Sequence, residues 1–283
     1  MIRFGPSGNS DIFYKDGYKH SVDAPKWLKA HGLNAYEYSF GRMFNISHET
    51  AQKLGEEAQA NGVLVSVHAP YYINLANPSD DVFIKNINYL LTSLSYLRDF
   101  KGVHCVFHPG SCGKETRDVA VQRMMSRMDK LLESVYMAGY GDMFICPETM
   151  GKTQQLGSVK EIIDLCKLDK CLIPTLDFGH INAVTGGTLK TADDYLKILD
   201  AVYNELGEYK AKNLHIHFSK IEYSSKGEIR HLTLDDTVYG PEFEPLAKVI
   251  KQMGLEPTII SESRGMMMED AIKLKNIYEK IGD

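Results

Sequence analysis

The stretch VLVSVH at residues 63–68, read with VHCVFH at 103–108 and MFICPE at 143–148, decides the fold. Each is a short run rich in apolar and β-branched residues, of strand length, and each ends on a histidine or a glutamate. The same ending recurs downstream. Asp177 and His180 close LIPTLDFGH (172–180), His217 closes NLHIH (213–217), and Glu262 closes PTIISE (257–262). A parallel α/β barrel gathers the carboxyl ends of its strands around one mouth. His68, His108, Glu148, Asp177, His180, His217 and Glu262 would therefore converge on one polynuclear metal site.

Working outward, further strand-like runs lie near Ile2–Phe4 and Ala35–Phe40, which brings the number of predicted strands to eight. Amphipathic stretches separate them. Phe83, Ile87, Leu90, Leu94 and Leu97 recur at helical spacing after Ser79, and Met124, Met128, Leu131 and Val135 repeat the pattern. Such stripes are core packing. Ser79 ahead of two aspartates, and Asp23 two before Pro25, read as helix starts. Eight strands alternating with eight helices, without a Pro/Gly/Ser linker, predict one (β/α)8 TIM barrel over residues 1–283. A doubly wound open sheet would instead gather ligands at a single switch point.

With 283 residues and 43% hydrophobic content, the chain can bury one large core. A formal net charge of −5 makes bulk electrostatics a poor advertisement for nucleic acid, although only the local field at a site governs binding. Five scattered cysteines without a CxxC pair point to a reduced, intracellular chain rather than a disulfide framework. The N-terminus carries no signal-peptide pattern and no apolar run reaches membrane-spanning length. A soluble, cytoplasmic monomer is expected.

Taken singly, a histidine or glutamate at a strand end reads as a buried hydrogen-bonded group or an ion-pair partner. Seven at one barrel mouth need shared compensation, because each buried charge is expensive alone. Imidazoles and carboxylates without thiolates suit zinc, manganese or iron, and the number of histidines tilts the choice to zinc. Glu148, near the middle of the set, is placed to bridge two ions.

The segments HAPYYINLAN (68–77), FHPGS (107–111), ETMGK (148–152), LDFGHINA (176–183), HIHFSK (215–220) and SES (261–263) resemble, in order and spacing, endonuclease IV, the trinuclear-zinc apurinic/apyrimidinic endonuclease. That resemblance implies one zinc on His68, His108 and Glu148. A second would sit on Glu148, Asp177, His217 and Glu262. A third would take His180, His231 and an acid from the loop after the seventh strand. The family pattern there is Asp, one residue, then His. This chain reads GEIRHL (227–232), with Ile229 where the Asp belongs, which leaves Glu228, Asp235 or Asp236 as substitutes, or Glu228 facing solvent.

The resemblance further implies cleavage 5′ to abasic sites in duplex DNA, with a zinc-bridging hydroxide as nucleophile and Glu148 able to take its proton. Tyr71, Tyr72 and Ile73 would wedge into the duplex, unless YYINLAN is an ordinary turn; Arg42, after the second strand, is placed either to enter the minor groove or contact phosphate, or to be no more than an exposed loop arginine. The segment around Arg42, SFGRMFNIS, does not align cleanly with the family's DNA-reading loop. His215 shares a strand face with His217 by period-two alternation and reads as a packed or supporting residue. His104 reads as a residue of the barrel floor, and His20, His31 and His48 as surface residues. The rival reading is a sugar isomerase or epimerase of the xylose-isomerase-like superfamily. It needs only Glu148, Asp177, one histidine and Glu262 around one or two manganese ions. A barrel that binds damaged DNA without cutting would require the loss of a central ligand, and none is missing.

Overall fold

A computed structural model describes residues 1–282. All eight predicted strands form. They are β1 (Arg3–Pro6), β2 (Ala35–Ser39), β3 (Leu64–His68), β4 (His104–Phe107), β5 (Phe144–Pro147), β6 (Thr175–Asp177), β7 (His215–Phe218) and β8 (Thr258–Ser261). Every pairing among them is parallel, in two hydrogen-bonded runs of order β1-β8-β7-β6 and β2-β3-β4-β5. Single parallel bridges join the runs: Ser7 to Glu37 on one side, Ile145 to Leu172 and Glu148 to Thr175 on the other. The result is a TIM barrel. The first seam demands Gly5, since a Cβ there would lie 1.9 Å from the Ala35 carbonyl oxygen.

The run at 172–177 keeps regular strand only from Thr175. Pro174 has no N–H to donate to the ladder, so the first half of the run is reduced to the isolated bridge. The helical stripes pack inward as expected. Phe83, Leu90, Leu94 and Leu97 of the Asp80–Asp99 helix are buried, as are Met124, Met128, Leu131 and Val135 of the Arg117–Met137 helix. Ser79 caps the former through Val82 N–H, and Asp23 precedes a helix with proline in its first turn without making a side-chain cap. All five cysteines are buried and free. No helix among the described residues is long and apolar enough to cross a membrane.

Two additions to the barrel shape its mouth. A short antiparallel pair, Gly110–Ser111 with Gln155–Leu156, ties the segment after β4 to the segment after β5. After β7, an antiparallel hairpin of Lys220–Ser224 and Gly227–Leu232 rises beside the mouth. The sequence predicts a loop here, and the structure forms a hairpin instead. The hairpin is stitched down where Glu228 N–H donates to Gly151 O at 2.8 Å and Thr153 N–H to Lys226 O at 3.3 Å.

Candidate metal centre

The seven residues meet at one barrel mouth, with Glu148 at their centre; six stand at or just past strand ends, and His180 comes from the first turn of the helix Phe178–Val184. Its Oε2 lies 3.2 Å from His68 Nε2 and 3.1 Å from His108 Nε2. Its Oε1 lies 3.0 Å from His217 Nδ1 and 3.5 Å from His180 Nδ1. Glu262 approaches His217 Nδ1 at 3.6 Å. Asp177 ends β6 and caps the next helix, accepting from His180 N–H at 2.7 Å through Oδ1. Its Oδ2 is buried without a hydrogen-bond partner.

Three sets of donor atoms in this mouth fall within 4.8 Å of one another: His68, His108 and Glu148; Glu148, Asp177, His217 and Glu262; and His180, Glu228 and His231. Asp235 and Asp236, the alternative acids for the last set, are elsewhere. Asp235 pairs with Lys273 at 2.8 Å, and Asp236 accepts the Val238 and Tyr239 N–H groups at 2.9 and 2.7 Å.

Glu228 and His231 are three residues apart, and in a regular strand they would point to opposite faces. The hairpin register resolves this. Glu222 pairs with Arg230 and Tyr223 with Glu228, so Ile229 is an extra, unpaired residue. That β-bulge restores a shared face, leaving Ile229 exposed and bringing Glu228 Oε2 to 3.5 Å from His180 Nε2 and Oε1 to 3.7 Å from His231 Nε2. Gly151 provides the room: a Cβ there would sit 2.7 Å from His180 Cδ2 and 2.9 Å from Glu228 Cβ.

Four imidazoles set one nitrogen against a supporting group and the other toward the acids, and the supported Nδ1 of His180 and of His231 lies near a carboxylate as well. His68 Nδ1 meets the Ala69 carbonyl at 2.8 Å, His180 Nδ1 the Thr149 carbonyl at 2.9 Å, and His231 Nδ1 the Ser219 hydroxyl at 2.8 Å. His217 Nε2 lies 3.0 Å from Glu37 Oε1. Metal-binding histidines are held this way, the outer contact fixing tautomer and ring orientation. Among the described residues, no lysine or arginine pairs with Glu37, Glu148, Asp177, Glu228 or Glu262; histidines are their only ionic partners. A cluster this acidic, with an orphaned carboxylate oxygen in it, fits bound cations.

The protonation equilibria reflect the same crowding. Burial works against charge on Glu148, yet the His217 charge and hydrogen bonds from His108, His217 and His68 hold it well below the usual carboxylate range. Burial also pulls His68 down, but its hydrogen bond to Glu148 and that carboxylate's charge raise it to about 9. His180 reaches about 9 against burial through the charges of Asp177, Glu148, Glu228 and Glu262. His108 goes the other way, because burial there outweighs Glu148.

The mouth is a cavity of about 360 Å³ whose walls include Ser39, Gly41, Tyr71, Lys152 and Gln155 alongside the acids and histidines. Tyr71 and Tyr72 are exposed with ring centroids 4.6 Å apart, and Arg42 donates to the Tyr71 hydroxyl at 2.5 Å. Ile73 is 2% exposed and packs in the core, so it offers nothing to a duplex. Beyond His231 and Glu262 the surface continues past Arg230 and Arg264. Three polar residues went unassigned in the sequence: Lys152, Arg264 and Glu37. The first lies inside the quoted ETMGK and the second directly follows SES. Glu37 is a charge in mid-strand between two tyrosines, a position that alternation turns inward.

Residues 25–277 match the family model described as xylose isomerase-like TIM barrel. The chain belongs to the xylose isomerase-like TIM barrel family. Within that family it is 32% identical to an uncharacterized protein of Methanocaldococcus jannaschii, over 99% of this chain and 98% of that one. It is 28% identical to a probable endonuclease 4 of Malacoplasma penetrans, over 56% of this chain and 60% of that relative. Endonuclease IV from Thermus thermophilus superposes with a TM-score of 0.69 at 20% identity, covering 98% of this chain and 97% of that one. A D-tagatose 3-epimerase-like protein gives the same TM-score and identity over 90% of each chain. The barrel fold of this xylose isomerase-like protein is thus shared with an endonuclease IV and with a D-tagatose 3-epimerase-like protein alike, and the fold does not choose between them.

Proposed function

We propose that this protein is a metal-dependent phosphodiesterase that cuts duplex DNA on the 5′ side of abasic sites. The observation that carries this reading is the third donor set. His180, Glu228 and His231 stand beside the two sets that share Glu148, and a mononuclear sugar isomerase has no use for them. The donor chemistry, imidazole and carboxylate without thiolate, suits zinc, with manganese as the alternative. His68, His108 and Glu148 would hold one ion, Glu148, Asp177, His217 and Glu262 a second, and His180, Glu228 and His231 a third. When bound, such ions supply a deprotonated water at neutral pH and positive charge for both the attacking and the leaving oxygen of a phosphodiester.

The chain's own residues supply the rest. Glu148, buried and held ionised by its histidine neighbours, orients the attacking water by accepting a hydrogen bond from it. Tyr71 and Tyr72, exposed and adjoining the cavity, stack against the lesion, where a missing base makes unstacking cheapest. Arg42 and Lys152 offer positive charge to the backbone, opposing the repulsion that an acidic chain presents to DNA. The reading also places the protein in the cytoplasm as a monomer acting on DNA.

The rival, a divalent-metal sugar epimerase, is favoured by the equal likeness to the D-tagatose 3-epimerase-like structure. Incubating zinc- and manganese-loaded protein with a duplex carrying one abasic-site analogue separates the two. The expected result is a chelator-sensitive cut immediately 5′ to the lesion, absent from undamaged duplex and from His108→Ala. No incision by folded, metal-loaded protein, together with turnover of a ketose, would overturn the proposal.

A further inference from the structure

Directly beneath the donor sets, the barrel interior carries a second polar layer. Period-two alternation places Ser66 under His68, Thr175 under Asp177 and His215 under His217. Glu37, from the middle of β2, enters this layer fully buried. Its Oε2 accepts from the Ser66 hydroxyl at 2.8 Å and meets His215 Nε2 at 2.8 Å. Its Oε1 is left for one neighbour alone, His217 Nε2 at 3.0 Å. The two atoms are not aligned as an in-line hydrogen bond in this structure, and neither has another partner.

A carboxylate buried so completely without lysine or arginine is costly unless something demands it. We infer that Glu37 is a positioning residue for the metal centre, which holds the His217 proton on Nε2 so that Nδ1 is presented to Glu148, Asp177 and Glu262. The inference rests on the metal-centre reading above and adds to it a residue that touches neither substrate nor ion. The other anchored imidazoles at this mouth lean on neutral groups: a carbonyl for His68 and His180, and a hydroxyl for His231. His180 Nδ1 also has Asp177 Oδ2 at 3.4 Å, but Asp177 belongs to the donor sets above; among the anchored imidazoles His217 alone leans on a carboxylate outside those three sets. A carboxylate raises the basicity of the imidazole it holds, so the ion at His217 is the one whose affinity is tuned from below.

Glu37→Gln keeps the side-chain shape and removes the charge. Ser66→Ala removes a contact to Glu37 without touching His217. Metal-stripped full-length protein is titrated with zinc against a chromophoric chelator, with apoprotein melting followed in parallel. E37Q is expected to weaken one ion about 10- to 100-fold and leave the others unchanged, while S66A leaves all affinities close to wild type. A merely structural role would lower the melting temperature of E37Q and leave its zinc affinities at the wild-type values, which overturns the inference. A wild type with four ions that falls to three in E37Q would make Glu37 a ligand, and overturns it too. A wild type that binds no zinc overturns the metal reading itself. Should E37Q not fold, nitrogen-15 spectra of histidines in zinc-loaded wild type decide: a proton on His217 Nε2 is expected, and a proton on Nδ1 refutes the assignment.

Discussion

Replacing Gly151 with alanine tests the third donor set without touching any of its members. Gly151 is absent from the positive-φ glycines, so the backbone accepts alanine and the effect is purely steric. The new Cβ would lie 2.7 Å from His180 Cδ2, 2.9 Å from Glu228 Cβ and 3.0 Å from Glu228 Oε2, against an ordinary contact of at least 3.4 Å. Neither neighbour yields freely. His180 is pinned through Thr149 O and the Asp177 cap, and Glu228 through its N–H to Gly151 O. Relief requires a displacement of about 0.7 Å, whereas metal–ligand distances hold to about 0.2 Å. The third ion should bind at least about 100-fold more weakly, roughly 2.7 kcal/mol, while overpacking costs the fold about 1–3 kcal/mol. Chelator-competition titration of the metal-stripped variant should find one tight ion fewer than in wild type, in a protein that still melts cooperatively. Three ions at wild-type affinity would refute the reasoning that Glu228 and His180 act together.

Glu228→Ala should lose the third ion, and adding Ile229→Asp should not restore it, because the bulge turns residue 229 to solvent; recovery of the third ion in the double variant, read by metal analysis, would contradict the bulge. Since His68 and His180 sit at about 9 in the absence of metal, ions must displace protons from both below that pH. Zinc affinity should therefore rise from pH 6 to about 9, with proton release visible in calorimetry across buffers of different ionisation enthalpy; a flat profile would show those imidazoles to be neutral already. Tyr71→Ala with Tyr72→Ala should weaken binding to an abasic duplex by about 10-fold or more, from stacking worth about 1–3 kcal/mol per base, while leaving metal content unchanged; equal loss on undamaged duplex would argue against a lesion-specific wedge.

The barrel was legible because its signal is repeated. Each ligand-bearing run ends where a parallel strand ends, and the seven residues from His68 to Glu262 meet where that alternation puts them. What escaped the sequence depends on pairing register and on contacts between distant segments. Glu228 could not be placed from GEIRHL, because the bulge at Ile229 exists only in the pairing with Lys220–Ser224. Asp235 and Asp236 are equivalent to it in sequence and are set apart only by their partners, Lys273 and a local turn. Ile73 follows two exposed tyrosines yet is buried, since a loop has no periodicity from which to read its inward face. Glu37 carried a usable sign, a charge in mid-strand, but its meaning comes from β7 on the far side of the barrel.

The most direct test of the proposed trinuclear centre is anomalous diffraction at the zinc edge from crystals of the zinc-loaded protein. Three peaks are predicted: one among His68, His108 and Glu148, one among Glu148, Asp177, His217 and Glu262, and one among His180, Glu228 and His231. A single peak at Glu148, Asp177 and Glu262, with the His180 set empty at saturating zinc, would contradict the account and point to a sugar epimerase.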